Sequence, residues 1–156
     1  VNVCYRLANV LPESGAVTRG ICEVDEEGYL VSVTDRLGVE RVGGRPMYPN
    51  DLHKWESLDE NCLVSMNMWG FKPDIFAEMQ TAFDTFFDVH GLDMKAHYSI
   101  PVFMNKQIEQ GVKVKVVETP AHWMGLVSHD DKIQVVLRIN EMMRKGIYPH
   151  KLFEKN

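Results

Sequence analysis

Apolar and polar positions alternate in short blocks through the first half of the chain and stretch to helical spacing beyond Gly70. Val3–Leu11 is rich in strand formers and stops at the turn cluster Pro12-Glu-Ser-Gly15; Ala16–Val24 predicts a second strand, the two making a hairpin. Asp25-Glu-Glu-Gly28 supplies the next turn, because glycine takes the positive φ that such turns need. Tyr29–Thr34 alternates into a third strand. Gly43-Gly44, Pro46 and Pro49 then punctuate a mixed stretch, and a hairpin insert is expected over 37–61, with Val39–Val42 and Pro46–Tyr48 as its arms. Cys62–Phe71 is the most apolar strand candidate and belongs in the middle of a sheet.

Pro73 sits where a helix favours proline in its first turn, and Asp74 and Glu78 put negative charge near that N-terminus. Ile75, Phe76, Met79, Phe83, Phe86 and Phe87 recur at helical spacing, a stripe that predicts core packing rather than a ligand pocket. Ser99 can cap a helix from Ile100 to about Gln110, stopped by Gly111. Val112–Glu118 alternates Val and Lys as a strand with one wet face, and Trp123–Val127 is a short apolar segment. Asp130 or Asp131 can cap a last helix through Lys145, with Gly146 as its stop and Pro149 beyond. The order predicts an α/β protein, a mixed β-sheet flanked by helices, in a single domain over 1–156.

Composition narrows the function classes. The 156 residues are 45% hydrophobic and 25% charged, enough apolar material for a core without disulfides. The net charge of −5 is interspersed and contains no basic block, so nucleic acid is not an expected partner. An anionic substrate would need a few cations placed locally. Cys4, Cys22 and Cys62 form no CxxC pair and read as free buried thiols in a reducing compartment, hence a cytoplasmic location. No apolar stretch approaches the ~20 residues of a membrane helix. The first residue is Val and Val3–Leu11 already reads as structure, so a chain cut from something longer is expected, although removal of a tag would leave the same start.

Several chemistries lack their motifs. There is no GxGxxG, no GxxxxGK[ST], no GxSxG and no HExxH, and the six histidines have no close ligand spacing and read as loop residues. What remains is a set of polar groups in and at the ends of strands. Gly20, within Thr18-Arg19-Gly20, marks either a bulge or a close backbone approach by a ligand. Asp35-Arg36 could reach a hydroxylated ligand, but spacing alone reads as a surface salt bridge worth ~0–1 kcal/mol. Asn67 lies inside an apolar strand, where a buried amide needs partners. Trp69 beside it is either a sugar-stacking ring or core filling.

Taken in order, Arg19-Gly-Ile-Cys-Glu-Val-Asp25 with Gly28-Tyr-Leu, Val31-Ser-Val-Thr-Asp-Arg36, Val64-Ser-Met-Asn-Met-Trp-Gly-Phe71 and Val112–Val127 resemble the second half of sugar-1-phosphate nucleotidyltransferases. That group includes glucose-1-phosphate thymidylyltransferase, and the closer likeness is to bacterial proteins known simply as nucleotidyltransferase family proteins. Trp123-x-Gly, Asp130-Asp-Lys132 and Gly146-Ile-Tyr-Pro149 extend the resemblance over essentially the whole chain.

The resemblance implies the C-terminal, sugar-phosphate-binding half of a Rossmann-like fold. The N-terminal half, with its glycine-rich loop for the nucleoside triphosphate, is not matched here. The implied reaction is attack of a sugar 1-phosphate oxygen on the α-phosphorus of a nucleoside triphosphate, releasing pyrophosphate, with magnesium steadying the phosphates. By the same resemblance Gly20 meets the sugar with its backbone, Asp35 accepts hydroxyl protons, Arg36 meets phosphate, and Asn67 and Trp69 floor the pocket. Two positions depart from it. Gly125 stands where the family's magnesium-holding aspartate is expected, leaving Asp130 or Asp131 as substitutes, and Ala96-His97-Tyr98 lacks an acidic residue before its aromatic. Two readings follow: the acceptor half of an enzyme, inactive by itself, or a sugar-phosphate-binding or scaffolding module that kept the fold. A severed interface would also favour self-association.

Overall fold

Seven strands build one mixed sheet in the computed structural model of the chain, which describes residues 1–12, 15–126 and 129–151. They are β1 (Asn2–Arg6), β2 (Val17–Val24), β3 (Leu30–Val42), β4 (Arg45–Pro49), β5 (Trp55–Ser57), β6 (Leu63–Trp69) and β7 (Val116–Thr119). Their order across the sheet is β5-β4-β3-β2-β6-β1-β7, parallel between β1 and β7 and antiparallel elsewhere. Three helices are described: α1 (Ile75–His90), α2 (Ile100–Glu109) and α3 (His129–Arg144). The chain divides into two compact units, Val1–His122 and Trp123–Asn156.

The hairpin expected between the first two strands does not form. β6 lies between them, pairing Cys4 with Ser65 on one side and Gly20 with Ser65 on the other. The chain leaves β1 through a 3-10 turn, Leu7–Asn9, instead of running extended to Leu11. Leu7, Val10 and Leu11 fall at i, i+3 and i+4, so one short helical face buries all three, which a strand would have split between two faces.

Alternation along the strands divides the core in two. Cys4, Cys22, Leu30 and Val33 meet Phe103, Met104 and Val114 on one face of the sheet. Val39, Tyr48 and Val64 meet Leu7, Val10 and Leu11 on the other. β3 contributes to both, and it is far longer than the Tyr29–Thr34 segment its alternation predicts. It runs past Gly38 (φ 68), and Glu40–Val42 then pair with Arg45–Met47 of β4.

α1 differs from the uniform core stripe expected of it. Ile75, Met79 and Ala82 pack against the first core, but Phe76, Phe83 and Phe87 stay exposed. The second set sits one residue round the helix, about 100° away, on a line that the sheet does not reach. α2 buries Phe103 and Met104, and its Asn105 binds β3 edge-on. Asn105 Nδ2 donates to the Val33 carbonyl at 2.8 Å and Asn105 Oδ1 accepts from the Val33 N–H at 2.9 Å. Leu30 N–H donates to the Val114 carbonyl at 2.8 Å on the same open edge. Ser99 occupies the N-cap position of α2, but its hydroxyl makes no capping bond.

In the second unit α3 runs to Arg144, Lys145 pairs with Glu141 at 2.6 Å, and the chain turns away at Gly146 (φ 70). No helix among the described residues is long and apolar enough to cross a membrane.

Candidate functional site

The register of three strands sets Asp35, Gly20 and Ser65 in one row, each the Cα partner of the next across β3, β2 and β6. The row lies on the first-core face. A cavity of about 310 Å³ opens above it, lined by Thr18 and Gly20 of β2, Val33 and Asp35 of β3, Ser65, Met66 and Asn67 of β6, and Ser99 and Pro101 at the start of α2. Gly20 keeps the floor clear. A Cβ there would stand 3.0 Å from Val33 Cγ1, 3.3 Å from Asp35 Oδ1 and 3.5 Å from the Ser65 carbonyl.

The polar groups around the row have settled hydrogen-bond roles. Asn2, wholly buried, donates from Nδ2 to Ser65 Oγ at 3.0 Å, and the Asn67 N–H donates to the same oxygen at 3.3 Å. Ser65 Oγ therefore accepts twice, leaving its own proton to donate elsewhere. Cys4 Sγ contacts Asn2 Oδ1 at 3.4 Å, so the row is anchored from below. Asn67 is exposed and has φ 61, in the left-handed region where a non-glycine residue is strained. Its Oδ1 accepts from Trp69 Nε1 at 2.9 Å, which leaves the Nδ2 amide protons as donors. The Asp35 carboxylate is exposed and has no hydrogen bond among the described residues.

Arg36 is not brought to this cavity. As the next residue along β3 its side chain goes to the opposite face, where the guanidinium lies 4.9 Å from the Tyr48 ring centroid. Trp69 lies outside the lining; it stacks on Phe71 with centroids 6.0 Å apart and acts on the site only through Asn67. Arg19 also faces away, buried, with Nε and Nη2 donating to the Val10 carbonyl at 3.2 and 2.5 Å. Burial lowers its pKa, though a guanidinium stays ionised there.

The chain matches no protein-family model and no curated protein.

Among the described residues no cation lines the cavity, so favourable interactions with an anion fall to the start of α2, where the Ile100 and Val102 N–H groups lack helical acceptors, Pro101 has no N–H and the Phe103 N–H is taken by the Ser99 carbonyl. Among the described residues no three His, Cys, Asp or Glu side chains come together as a metal-holding group. Gly125 belongs to the second unit, and a Cβ at that position would overlap the Trp123 ring. Asp131 is half-buried at the start of α3, and the side chain of Asp130 lies outside the described residues.

The three cysteines are free, with Cys4 and Cys22 buried and their Sγ atoms 3.7 Å apart. They lie on β1 and β2, on either side of β6. The hydrogen bond with Cys4, followed by burial, pushes the Cys22 thiol up, and burial beside Asp59 pushes Cys62 up to about 11.

Ser65 and Asn2 carry no site role in the sequence, and Ser99 stands out there only as a helix cap. Ser65 had a usable signal: it stands two residues before Asn67 in an alternating strand. The contributions of Asn2 and Ser99 depend on pairing between distant segments, which no local pattern carries.

Proposed function

We propose that the cavity over Asp35, Gly20 and Ser65 binds a sugar phosphate, and that the chain is the acceptor half of a Rossmann-like nucleotidyltransferase. The observation that carries this is the matched set of hydrogen-bonding groups around an open floor. Asp35 accepts, Asn67 Nδ2 and Ser65 Oγ donate, and Gly20 lets the ligand sit against the strand. Neighbouring sugar hydroxyls each donate one proton and accept at least one, so an acceptor and two donors across one row read them directionally. The phosphate would face the start of α2, where the Ile100 and Val102 N–H groups and the helix dipole favour an anion.

In the reaction of such enzymes the sugar-phosphate oxygen forms a bond to the α-phosphorus of a nucleoside triphosphate. The bond from that phosphorus to the bridging oxygen breaks, and pyrophosphate leaves with the electron pair. This chain's residues orient the acceptor. Magnesium supplies charge neutralisation on the phosphates when bound. Residue 125 does not fit the carboxylate's role in holding it: Gly125 carries no side-chain ligand atom, and the Trp123 ring fills the space a side chain would need.

Calorimetric titration with glucose 1-phosphate tests the reading, with glucose and inorganic phosphate as the separate halves. The whole ligand is expected to bind more tightly than either half, and Asp35→Ala to weaken it about tenfold, the size of one lost polar contact. Equal binding by Asp35→Ala and the unaltered chain would overturn it. The chain by itself is expected to release no pyrophosphate from a nucleoside triphosphate and a sugar phosphate.

Gly125 with the overlying Trp123 ring also favours a second reading, a sugar-phosphate-binding module without transfer chemistry. Joined to a nucleotide-binding half, an enzyme would exchange pyrophosphate into the triphosphate, whereas the module would bind sugar phosphate and exchange nothing.

A further inference from the structure

A second cavity, of about 300 Å³, lies between α1 and α2. Its base is aromatic: Phe86 and Tyr98 have ring centroids 5.4 Å apart, and Phe103 closes the bottom at 2% exposure. Its sides are Val89 of α1 and Val102 of α2, both exposed although apolar. The polar part of its rim is one-sided. His90 ends α1 with its ring 5.0 Å from Phe86, His97 follows on the connection, and Lys106 comes from α2. No carboxylate is among the lining residues of a chain whose net charge is −5.

We propose that this groove is a second ligand site, for a small anion carried on a flat apolar group, as in an aromatic phosphate or carboxylate. The aromatic base supplies a face for a ring, since offset and edge contacts are the favoured packings of aromatic groups. The ammonium of Lys106 and the ring N–H groups of His90 and His97 can all donate to one anionic group held at the mouth. The volume is at the small end of ligand pockets, roughly 300–1,000 Å³, which fits a single ring with its charged substituent. The surplus of acidic residues elsewhere makes a carboxylate-free rim with three nitrogen donors a local reversal of charge. Ser99 borders both cavities, but the site does not depend on the sugar-phosphate reading, for Asp35, Gly20 and Asn67 take no part in it.

Phenyl phosphate is the probe, with benzyl alcohol as the uncharged ring and inorganic phosphate as the bare anion. Amide shifts of the isotopically labelled chain report the location: Thr85, Val89 and Lys106 for this groove, and Thr18 and Asn67 for the cavity over the sheet. Saturable shifts at the first three are expected, with affinity about tenfold above either control if ring and charge both contribute. Lys106→Gln removes the ammonium from an exposed position and is expected to weaken binding about tenfold while the melting temperature holds. Val102→Trp fills the groove and is expected to abolish the shifts. Benzyl alcohol binding as well as phenyl phosphate would overturn the proposal, as would shifts confined to Thr18 and Asn67. So would an unchanged affinity in both variants.

Discussion

Gly20 and Asp35 face each other as Cα partners across β2 and β3, and a Cβ on Gly20 would stand 3.3 Å from Asp35 Oδ1. The glycine is there for space: its backbone lies outside the positive-φ region, so alanine is sterically acceptable except for what it touches. Gly20→Ala should push Val33 Cγ1, 3.0 Å away, and crowd the Asp35 carboxylate. A loss of stability of ~1–3 kcal/mol is expected from overpacking. Affinity for glucose 1-phosphate should fall about tenfold, and titration beside a thermal melt separates the two effects. Full affinity in a folded Gly20→Ala chain would mean that the ligand does not approach this strand.

Asn67 allows backbone strain and ligand contact to be separated by two substitutions. At φ 61 glycine is at ease, but Asn67→Gly also loses the bond from Trp69 Nε1 and the amide that donates into the cavity. Asn67→Val loses the same groups and also puts a β-branched residue in the left-handed region, which should cost about 1–2 kcal/mol more than glycine. Weakened sugar-phosphate binding in both, with the valine variant the less stable, is the expected pattern. A glycine variant that melts at or below the valine variant would contradict it.

Asn105 stands in for a neighbouring strand along part of β3. Asn105→Ala leaves the Val33 N–H and carbonyl without those partners, at about 1–3 kcal/mol for each group that water does not reach. Faster hydrogen exchange at the Val33 amide is the specific sign. If that amide stays protected in the variant, the edge is held by something other than Asn105.

The far hairpin should titrate at both ends of the pH scale. The Tyr48 hydroxyl donates to Glu56, and Asn50 Nδ2 donates to the other carboxylate oxygen at 2.7 Å. The Tyr48 bond is the main cause holding Glu56 below the usual carboxylate range, and the same bond raises Tyr48. A depressed carboxylate contributes stability above its unfolded pKa and loses it as pH falls through the folded value. A raised phenol contributes below its unfolded pKa and loses it as pH rises through the folded value. Tyr48→Phe should therefore be most costly between about pH 5 and pH 9, with the difference shrinking on either side. Urea midpoints of both chains across that range test this, and a difference independent of pH would refute it.

How far the sequence carries depends on whether a feature is local. The apolar run at Leu63–Trp69 and the helical spacing from Ile100 announce their own elements, because burial on one face leaves a period in the residues. The Val3–Leu11 run misleads, because strand formers do not say which strand they pair with, and Leu7, Val10 and Leu11 carry a helical period within it. Asp35 and Arg36 stand side by side in sequence, yet the two-residue period of a strand sends them to opposite faces. That much was available without coordinates. The division of the phenylalanines on α1 was not, since a helix cannot indicate which of two adjacent lines its neighbour will cover.

The order of the strands also governs when the cavity can exist. β2 and β3 meet across a tight turn, but β6 has to slot between β2 and β1, bringing Ser65 to Asn2 across 63 positions of chain. Contacts of that sequence separation pay their loop-closure entropy before they gain anything, and they tend to form late. A partly folded or truncated molecule ending before Leu63 has neither Ser65 nor Asn67, so a ligand that needs them can select only chains that have completed the sheet.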